Sequence, residues 1–225
     1  MLKPQKKKVS KKELKRDPLL DSVLKAQTFY EKNRNILTYT VIGVIAVILI
    51  SFWVKAIYEE TNQEAVTLLG KAQVEYDQMN YSKARDFLNA LLKEYDGTEA
   101  AEQGTFLLAN LNFNENKTDE AMRLFKEFTD SYSGSHILLA SGYAGIAACF
   151  EAQNNYSEAA VAYEKAFNEA GDFVKAADYL YLAGLCYQKA NDTDDSKKAF
   201  QKLIDEFPDS PRKYDAQTEL ILAAK

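Results

Sequence analysis

The chain has 225 residues and a formal net charge of −5, with two cysteines and a single histidine. This length leaves room for one membrane anchor and one domain of medium size. A single histidine excludes a histidine-based metal cluster or acid–base pair, and two cysteines without a C-x-x-C motif exclude a disulfide framework.

Positive charge is concentrated at the start of the chain. Residues 1–36 hold eleven Lys or Arg and four Asp or Glu, a balance of +7, so the remainder carries −12. Residues 1–16 are rich in Lys and almost without large apolar side chains, which predicts a disordered basic tail. Asp17 and Pro18 then have the form of a helix start, and the apolar residues that follow keep a helical spacing. We therefore expect an amphipathic helix over residues 17–35.

Residues 36–54 form an apolar run without Asp, Glu, Lys, Arg, Asn, Gln or Pro. As a helix rising about 1.5 Å per residue they reach roughly 28 Å, close to the thickness of the hydrocarbon core of a bilayer. The run predicts a transmembrane helix, in which Gly43 offers a packing place for a partner helix and Phe52 and Trp53 suit the outer interface. A buried helix of a soluble domain would normally carry a polar stripe, and a signal peptide would be shorter and end in a small-x-small cleavage site.

The charges on either side of this run predict its orientation. Because positive residues in short loops stay on the cytoplasmic side, we expect a cytoplasmic N-terminus and residues from about 55 onward outside. The basic segment lacks the interleaved aromatic residues of a nucleic-acid-binding surface, so we expect it to contact the lipid bilayer and no nucleic acid. Beyond the run, Thr61 and Glu64 have the form of a capping box, which predicts that a new helix begins at Thr61.

From Leu68 onward the sequence repeats four times. A small residue recurs with spacings of 37, 38 and 37, a second small residue follows twelve positions later, and a large residue comes four positions after that. The four sets are Ala72, Ala84 and Leu88; Ala109, Ala121 and Phe125; Ala147, Ala159 and Tyr163; and Gly184, Ser196 and Phe200. Because antiparallel helices approach closely only where both are small, each unit is predicted to be a helical hairpin.

These positions resemble the tetratricopeptide repeat family, whose unit reads W-x2-L-G-x2-Y, then A-x3-F, then P. The fourth unit matches best, with Leu180, Ala183, Gly184, Tyr187, Ser196, Phe200 and Pro208 at those places. The first three units lack the closing Pro, and the period exceeds the usual 34 residues by three or four. The resemblance implies an all-α fold in which about four helical hairpins stack into a solenoid. A last helix beginning at Ser210-Pro211 is expected to cap the stack.

In such a solenoid the first helix of each hairpin lines the inner curve, so its side chains away from the packing seam are candidates for partner contacts. These candidates are Gln73, Tyr76, Phe106, Asn110, Phe113, Tyr181, Leu185 and Gln188. No cofactor, metal ligand or catalytic residue is predicted, because the sequence has no phosphate loop, no G-x-S-x-G and no H-E-x-x-H. Cys149 and Cys186 occupy the same place in adjacent units, roughly 9 to 10 Å apart as for packed helices, which predicts buried free thiols beyond the reach of a disulfide.

The order of basic tail, single span and acidic repeat domain is similar to that of the YfgM-type ancillary subunits of the Sec translocon. This resemblance implies association with SecYEG, with a membrane-anchored periplasmic PpiD-like peptidyl-prolyl isomerase or chaperone, and with secretory client proteins. The implied domains are a basic cytoplasmic tail (1–16), an amphipathic cytoplasmic helix (17–35), a transmembrane helix (36–54) of the bacterial inner membrane and a periplasmic repeat domain (55–225). The alternative is a structural scaffold of a cell-envelope or cell-division complex, and an enzyme has no support in the sequence.

Overall fold

The computed structural model describes residues 18–223, so the basic tail predicted over residues 1–16 lies outside the described residues. The chain divides into two compact units, Met1–Tyr58 and Glu59–Lys225. All secondary structure in the described residues is helical: α1 Pro18–Asp77, α2 Tyr81–Glu94, α3 Glu99–Asn114, α4 Thr118–Ser131, α5 His136–Ala152, α6 Tyr156–Ala170, α7 Ala176–Lys189, α8 Thr193–Glu206 and α9 Arg212–Leu222.

The helix start predicted at Thr61 is wrong, because α1 continues without a break from Pro18 to Asp77. A capping box requires a non-helical backbone at its first residue. Residues 55–64 contain neither Gly nor Pro, and most of them are good helix formers, so nothing in the chain forces the helix to end before Thr61.

The predicted hairpins are confirmed. Helices α3/α4, α5/α6 and α7/α8 pack as pairs, and at the end of α1 the Tyr76 ring contacts Tyr81 of α2. The two small residues and the large residue that recur in each hairpin make twelve positions, and all twelve are buried. The eleven of them that carry side chains are between 0% and 5% exposed. In the fourth hairpin a Cβ added at Gly184 would lie 2.5 Å from the Phe200 ring, so the two helices touch backbone to ring. The small residues therefore mark the crossing point of each hairpin, and the large residue fills the space beside it.

The turn inside each hairpin has the same backbone conformation in all four repeats. Met79, Asn116, Asn154 and Asn191 have φ values of 61°, 60°, 62° and 62°. The next N–H donates to the carbonyl five residues back, as in the 2.8 Å bond from Asn80 to Glu75. This is the Schellman ending of a helix, whose left-handed residue is normally Gly or Asn. The first hairpin is the exception, because it places a methionine there.

The first and last members of the stack of repeats differ from those between them. Gly104 of α3 and Gly142 of α5 face the preceding second helix so closely that an added Cβ would lie 2.7 Å from Leu91 and 2.8 Å from Phe128 respectively. The equivalent residue in α1 is Thr67, which is exposed, as expected for the outer face of a terminal repeat. In α9 the equivalent residue is Ala216, which is completely buried and packs this helix as the next repeat would.

The last helix predicted after Ser210-Pro211 is present as α9, and most of its large apolar side chains are exposed. Tyr214, Ile221 and Leu222 are 72%, 63% and 56% exposed, and only Leu220 among them is partly buried. Among residues 18–223 no helix follows α9, and these three side chains lie in solvent.

Replacing Met79 by Asn should raise the free energy of unfolding by roughly 0.5–1 kcal/mol, because Asn tolerates a left-handed backbone that costs Met about 1 kcal/mol. Met79 is 75% exposed, so the change removes little packing. Urea unfolding of the full chain in a nonionic detergent, followed by circular dichroism at 222 nm, measures it. The reciprocal change Asn116→Met should lower the midpoint by a similar amount, and a fall with Met79→Asn would contradict the expectation.

Replacing Ser196 by Ala should raise the free energy of unfolding by about 1 kcal/mol. Ser196 is 1% exposed, and its hydroxyl has no hydrogen-bond partner among the described residues. The same unfolding measurement applies. Ser157→Ala on the exposed side of α6 is the matched control and should change stability by less than about 0.5 kcal/mol. Equal effects of the two substitutions would show that the buried hydroxyl costs nothing.

Candidate binding surface on the first helices of the hairpins

The predicted contact residues share three positions in the repeat. These lie three residues before, one residue after and four residues after the first small residue of their hairpin. This spacing places them on one stripe of each helix. Gln73 and Tyr76 lie on α1; Phe106, Asn110 and Phe113 on α3; and Tyr181, Leu185 and Gln188 on α7. We call these positions in α1, α3, α5 and α7 the groove face. Gln73 is exposed and the other seven are partly buried.

A hollow of about 380 Å³ opens on the groove face between α1, α3 and the start of α5. We call it the N-terminal hollow. Its lining is mostly apolar and consists of Val66, Leu69, Gly70, Gln73, Gln103, Phe106, Leu107 and Leu138. The structure therefore brings two of the predicted residues, Gln73 and Phe106, into one depression.

Gly70 leaves open space in this hollow. A Cβ added there would meet nothing within 4 Å, whereas one added at Gly145, the equivalent residue of α5, would lie 2.5 Å from the Phe125 ring. The equivalent residues in α3 and α7 are Leu107 and Leu182. A glycine inside a helix costs about 1 kcal/mol relative to alanine, and no packing neighbour requires this one. Gly70 was not among the predicted contact residues, although an isolated glycine in a helical repeat is a signal that the sequence contains.

Carboxylates border the N-terminal hollow. The side-chain amide of Gln73 donates to Asp77 Oδ1 at 2.9 Å, and that of Gln103 donates to Glu99 Oε1 at 3.1 Å. Beside Gln103, partial burial and the neighbouring Glu99 raise the pKa of Glu102. Among the residues that line the hollow, none is Lys or Arg. The apolar floor therefore has an acidic border.

Tyr76 connects the first two hairpins. Its hydroxyl accepts a hydrogen bond of 2.8 Å from the Asn114 amide on α3, and its ring centre lies 5.8 Å from that of Tyr81. Burial raises the pKa of Tyr76. On α3, the Asn110 side chain donates to the Phe106 carbonyl at 2.9 Å, while Phe113 packs against the core. These contacts hold the groove face of the first two hairpins in place.

Glu151 of α5 occupies the groove-face position that carries Tyr76, Phe113 and Gln188 in the other hairpins. Its carboxylate accepts hydrogen bonds from the Tyr163 hydroxyl at 2.9 Å and the Lys189 ammonium at 3.1 Å. Glu151 therefore joins the third hairpin to the fourth. Glu151 was not among the predicted contact residues, although the change from an uncharged to a charged side chain at one register position is visible in the sequence.

Both cysteines are buried and free, as predicted. Burial raises the pKa of Cys149 to about 12, and burial followed by the nearby Glu151 carboxylate raises the pKa of Cys186 to about 12. At neutral pH both groups stay protonated, and the thiolate is the reactive form of cysteine. Their place in the fold is therefore structural.

The C-terminal end of the groove face is covered by α9. The Arg212 guanidinium lies 5.0 Å from the centre of the Tyr181 ring and donates to Asp178 at 2.6 Å. The Gln188 amide donates to Glu219 at 3.1 Å. Tyr181 also lies 5.8 Å from Phe200 of α8. Two of the predicted contact residues, Tyr181 and Gln188, thus have partners within the protein.

The predicted membrane anchor lies inside α1. Every side chain from Thr38 to Val54 is exposed, including Phe52 and Trp53 at 68% and 67%, and a Cβ added at Gly43 would meet nothing within 4 Å. Among the described residues, α1 is the one helix long and apolar enough to span a membrane. Such a continuous exposed apolar surface marks a site of membrane or protein contact.

Two family models match the chain. A model described as tetratricopeptide repeat-like domain matches residues 27–141, just over half of the chain, and a tetratricopeptide repeat model matches residues 178–210. The second match covers α7, α8 and the turn after them. No curated protein sequence matches the chain.

Solved structures share the fold at low sequence identity. MamA is 21% identical with a TM-score of 0.50, over 63% of this chain and 72% of its own. BtubC from P. vanneervenii is 14% identical with a TM-score of 0.53, over 64% and 62%. A tetratricopeptide repeat protein from Parabacteroides merdae is 16% identical with a TM-score of 0.57, over 69% and 58%. The chain spans less than two thirds of the latter two proteins, and at these identities the likeness shows the fold alone.

The repeat-like model covers most of α1, the helices α2 to α4 and the start of α5, and the tetratricopeptide repeat model covers the fourth hairpin. The fold is typically a non-catalytic scaffold for protein interaction. This chain belongs to the tetratricopeptide repeat-like domain family.

Proposed function

We propose that this protein is a membrane-anchored interaction subunit that assists the Sec translocon, SecYEG. It recruits a membrane-anchored periplasmic PpiD-like isomerase or chaperone and helps to hand over secretory client proteins. Residues 36–54 cross the bacterial inner membrane with the N-terminus in the cytoplasm, and residues 55–225 lie in the periplasm. The protein performs no catalysis of its own.

The exposed apolar run in α1 carries this proposal. Seventeen consecutive exposed side chains, Thr38 to Val54, include only Thr, Tyr, Gly, Ala and Ser besides large apolar residues. Apolar surface in water costs about 25 cal/mol per Å², and a bilayer removes that cost. The balance of +7 before the run and −12 after it supports a cytoplasmic N-terminus.

Tethering gives the repeat domain its advantage. An anchored domain meets clients at the membrane at an effective concentration set by the anchor, so modest contacts on the groove face suffice. The negative charge of the repeat unit keeps it soluble and limits nonspecific association. The tetratricopeptide scaffold supplies the contact surface for the partners.

A scaffold of a cell-envelope or cell-division complex is the second candidate. The contacts that α9 makes with Tyr181 and Gln188 favour the scaffold, because a groove filled by the protein's own side chains leaves less room for a client. In that case the repeat domain would hold folded partners together and would not contact unfolded chains.

Gentle purification from native membranes should bring SecYEG along with the intact chain. Removal of residues 1–60, with export restored by an unrelated signal peptide, should abolish that association because the tether is lost. Mass spectrometry of the purified complexes makes the comparison. A variant in which an unrelated span replaces residues 36–54 is the matched control, and it separates the need for any anchor from the need for this one.

Recovery of a division or outer-membrane complex in place of the translocon would favour the scaffold. Protease added to inverted inner-membrane vesicles tests the orientation separately. The repeat domain should stay protected while residues 1–35 are cleaved. Digestion of the repeat domain in these vesicles would contradict a periplasmic location.

A further inference from the structure

We propose that the N-terminal hollow binds a protein segment in which a large apolar side chain is flanked by Lys or Arg. This assignment rests on the proposed function and specifies the kind of segment that the groove face binds. The occupant is a segment of a partner or client protein. Its apolar side chain enters the space beside Gly70, and its cations lie against the acidic border.

The shape of the hollow fits a large apolar side chain. Its walls are Val66 and Leu69 of α1, Phe106 and Leu107 of α3, and Leu138 of α5. Val66 is 54% exposed, which makes it one of the apolar side chains that the fold leaves uncovered on this face. Gly70 contributes no side chain between the two walls, so a partner's Leu or Phe can reach the helix backbone there.

The charges at the border select the flanking residues. Asp77 and Glu99 accept from the two glutamines of the lining, and Glu102 lies next to them. These carboxylates form ion pairs with the Lys and Arg of the partner, and the ion pairs set specificity. A segment with Asp or Glu would be repelled.

A second hollow, of about 570 Å³ between α4 and α6, shows the contrast. There the protein's own Lys126 lies 5.7 Å from the centre of the Phe150 ring, and Lys165 lies 5.9 Å from that of Tyr143. Its rings already have cationic partners from the same chain. The N-terminal hollow has no lining cation among the described residues, which leaves that role to the segment that binds.

The C-terminal end of the groove face also favours the N-terminal hollow as the binding site. Arg212 and Glu219 of α9 already contact Tyr181 and Gln188 there. Gln73 and Phe106, at the N-terminal end, border open space. Of the eight predicted contact residues, Gln73 and Phe106 therefore line a hollow, whereas Tyr181 and Gln188 contact α9.

Fluorescence anisotropy with the full chain in phosphatidylcholine nanodiscs tests the assignment. Three labelled twelve-residue peptides serve as probes: one of Leu and Lys, one of Leu and Glu, and one of Ser and Lys. The Leu/Lys peptide should bind at least tenfold more tightly than the other two. Its affinity should fall severalfold between 0.05 M and 0.5 M salt because exposed charge pairs are screened. Empty nanodiscs give the background.

Gly70→Leu should fill the hollow and weaken binding of the Leu/Lys peptide at least tenfold, while Leu in a helix interior keeps α1 stable. Thr67→Leu is the matched control, because Thr67 is exposed on the same helix outside the hollow, and it should leave binding unchanged. Glu99→Gln combined with Glu102→Gln should weaken the Leu/Lys peptide severalfold and reduce the salt dependence. Circular dichroism confirms that each variant is folded.

Equal binding of the Leu/Lys and Leu/Glu peptides, or unchanged binding by the Gly70→Leu variant, would overturn the assignment. If neither Leu peptide binds while SecYEG still purifies with the chain, the hollow is no client site and the proposed function stands. If the Leu/Lys peptide binds through Gly70 but no translocon purifies, the chemistry of the hollow stands and the proposed function falls.

Discussion

The close contact between the two helices of each hairpin sets the geometry of the whole stack of hairpins. A small residue on the first helix lets the second helix approach until a large side chain, such as Phe125 or Phe200, packs directly against it. At Gly184 the contact is so close that even a methyl group has no place without a shift of the Phe200 ring. Because the contact recurs at nearly constant spacing, the first helices lie in register and present equivalent residues on the groove face. The candidate binding surface is therefore a consequence of this packing.

The groove face is not uniform along the stack. At α1 and α3 it has an open hollow with an apolar floor and an acidic border. In the third hairpin the carboxylate of Glu151 joins neighbouring helices, and at α7 the last helix supplies Arg212 and Glu219 as internal partners. One repeated backbone thus carries a hollow on its groove face at one end and contacts with α9 at the other. The difference arises from single side chains at equivalent positions, such as Gly70 in place of Leu107, since the helix packing beneath them is the same.

Much of the fold follows from residues that are near neighbours in the sequence. The spacing of small and large residues predicted the hairpins, which the structure confirms. The new helix predicted at Thr61 does not begin there, because a capping box is a local preference and the helix propensity of residues 55–64 outweighs it. The last helix was predicted, but the residue that seats it was not. In α9 the large side chains of Tyr214 and Ile221 are exposed and Ala216 is completely buried, at the place where the register of the repeat puts it.

The sequence by itself determined the number of hairpins, their register, the buried cysteines and the apolar run that could span a membrane. Each of these is a periodicity or a composition that a single stretch of chain contains. The tertiary structure decided which part of the groove face is open. The space beside Gly70 exists only because α3 and α5 bring Phe106, Leu107 and Leu138 around it. The cover at the other end exists only because α9 folds back on α7. Contacts between residues distant in the chain depend on how the hairpins stack, and no local pattern encodes the empty volume left between them.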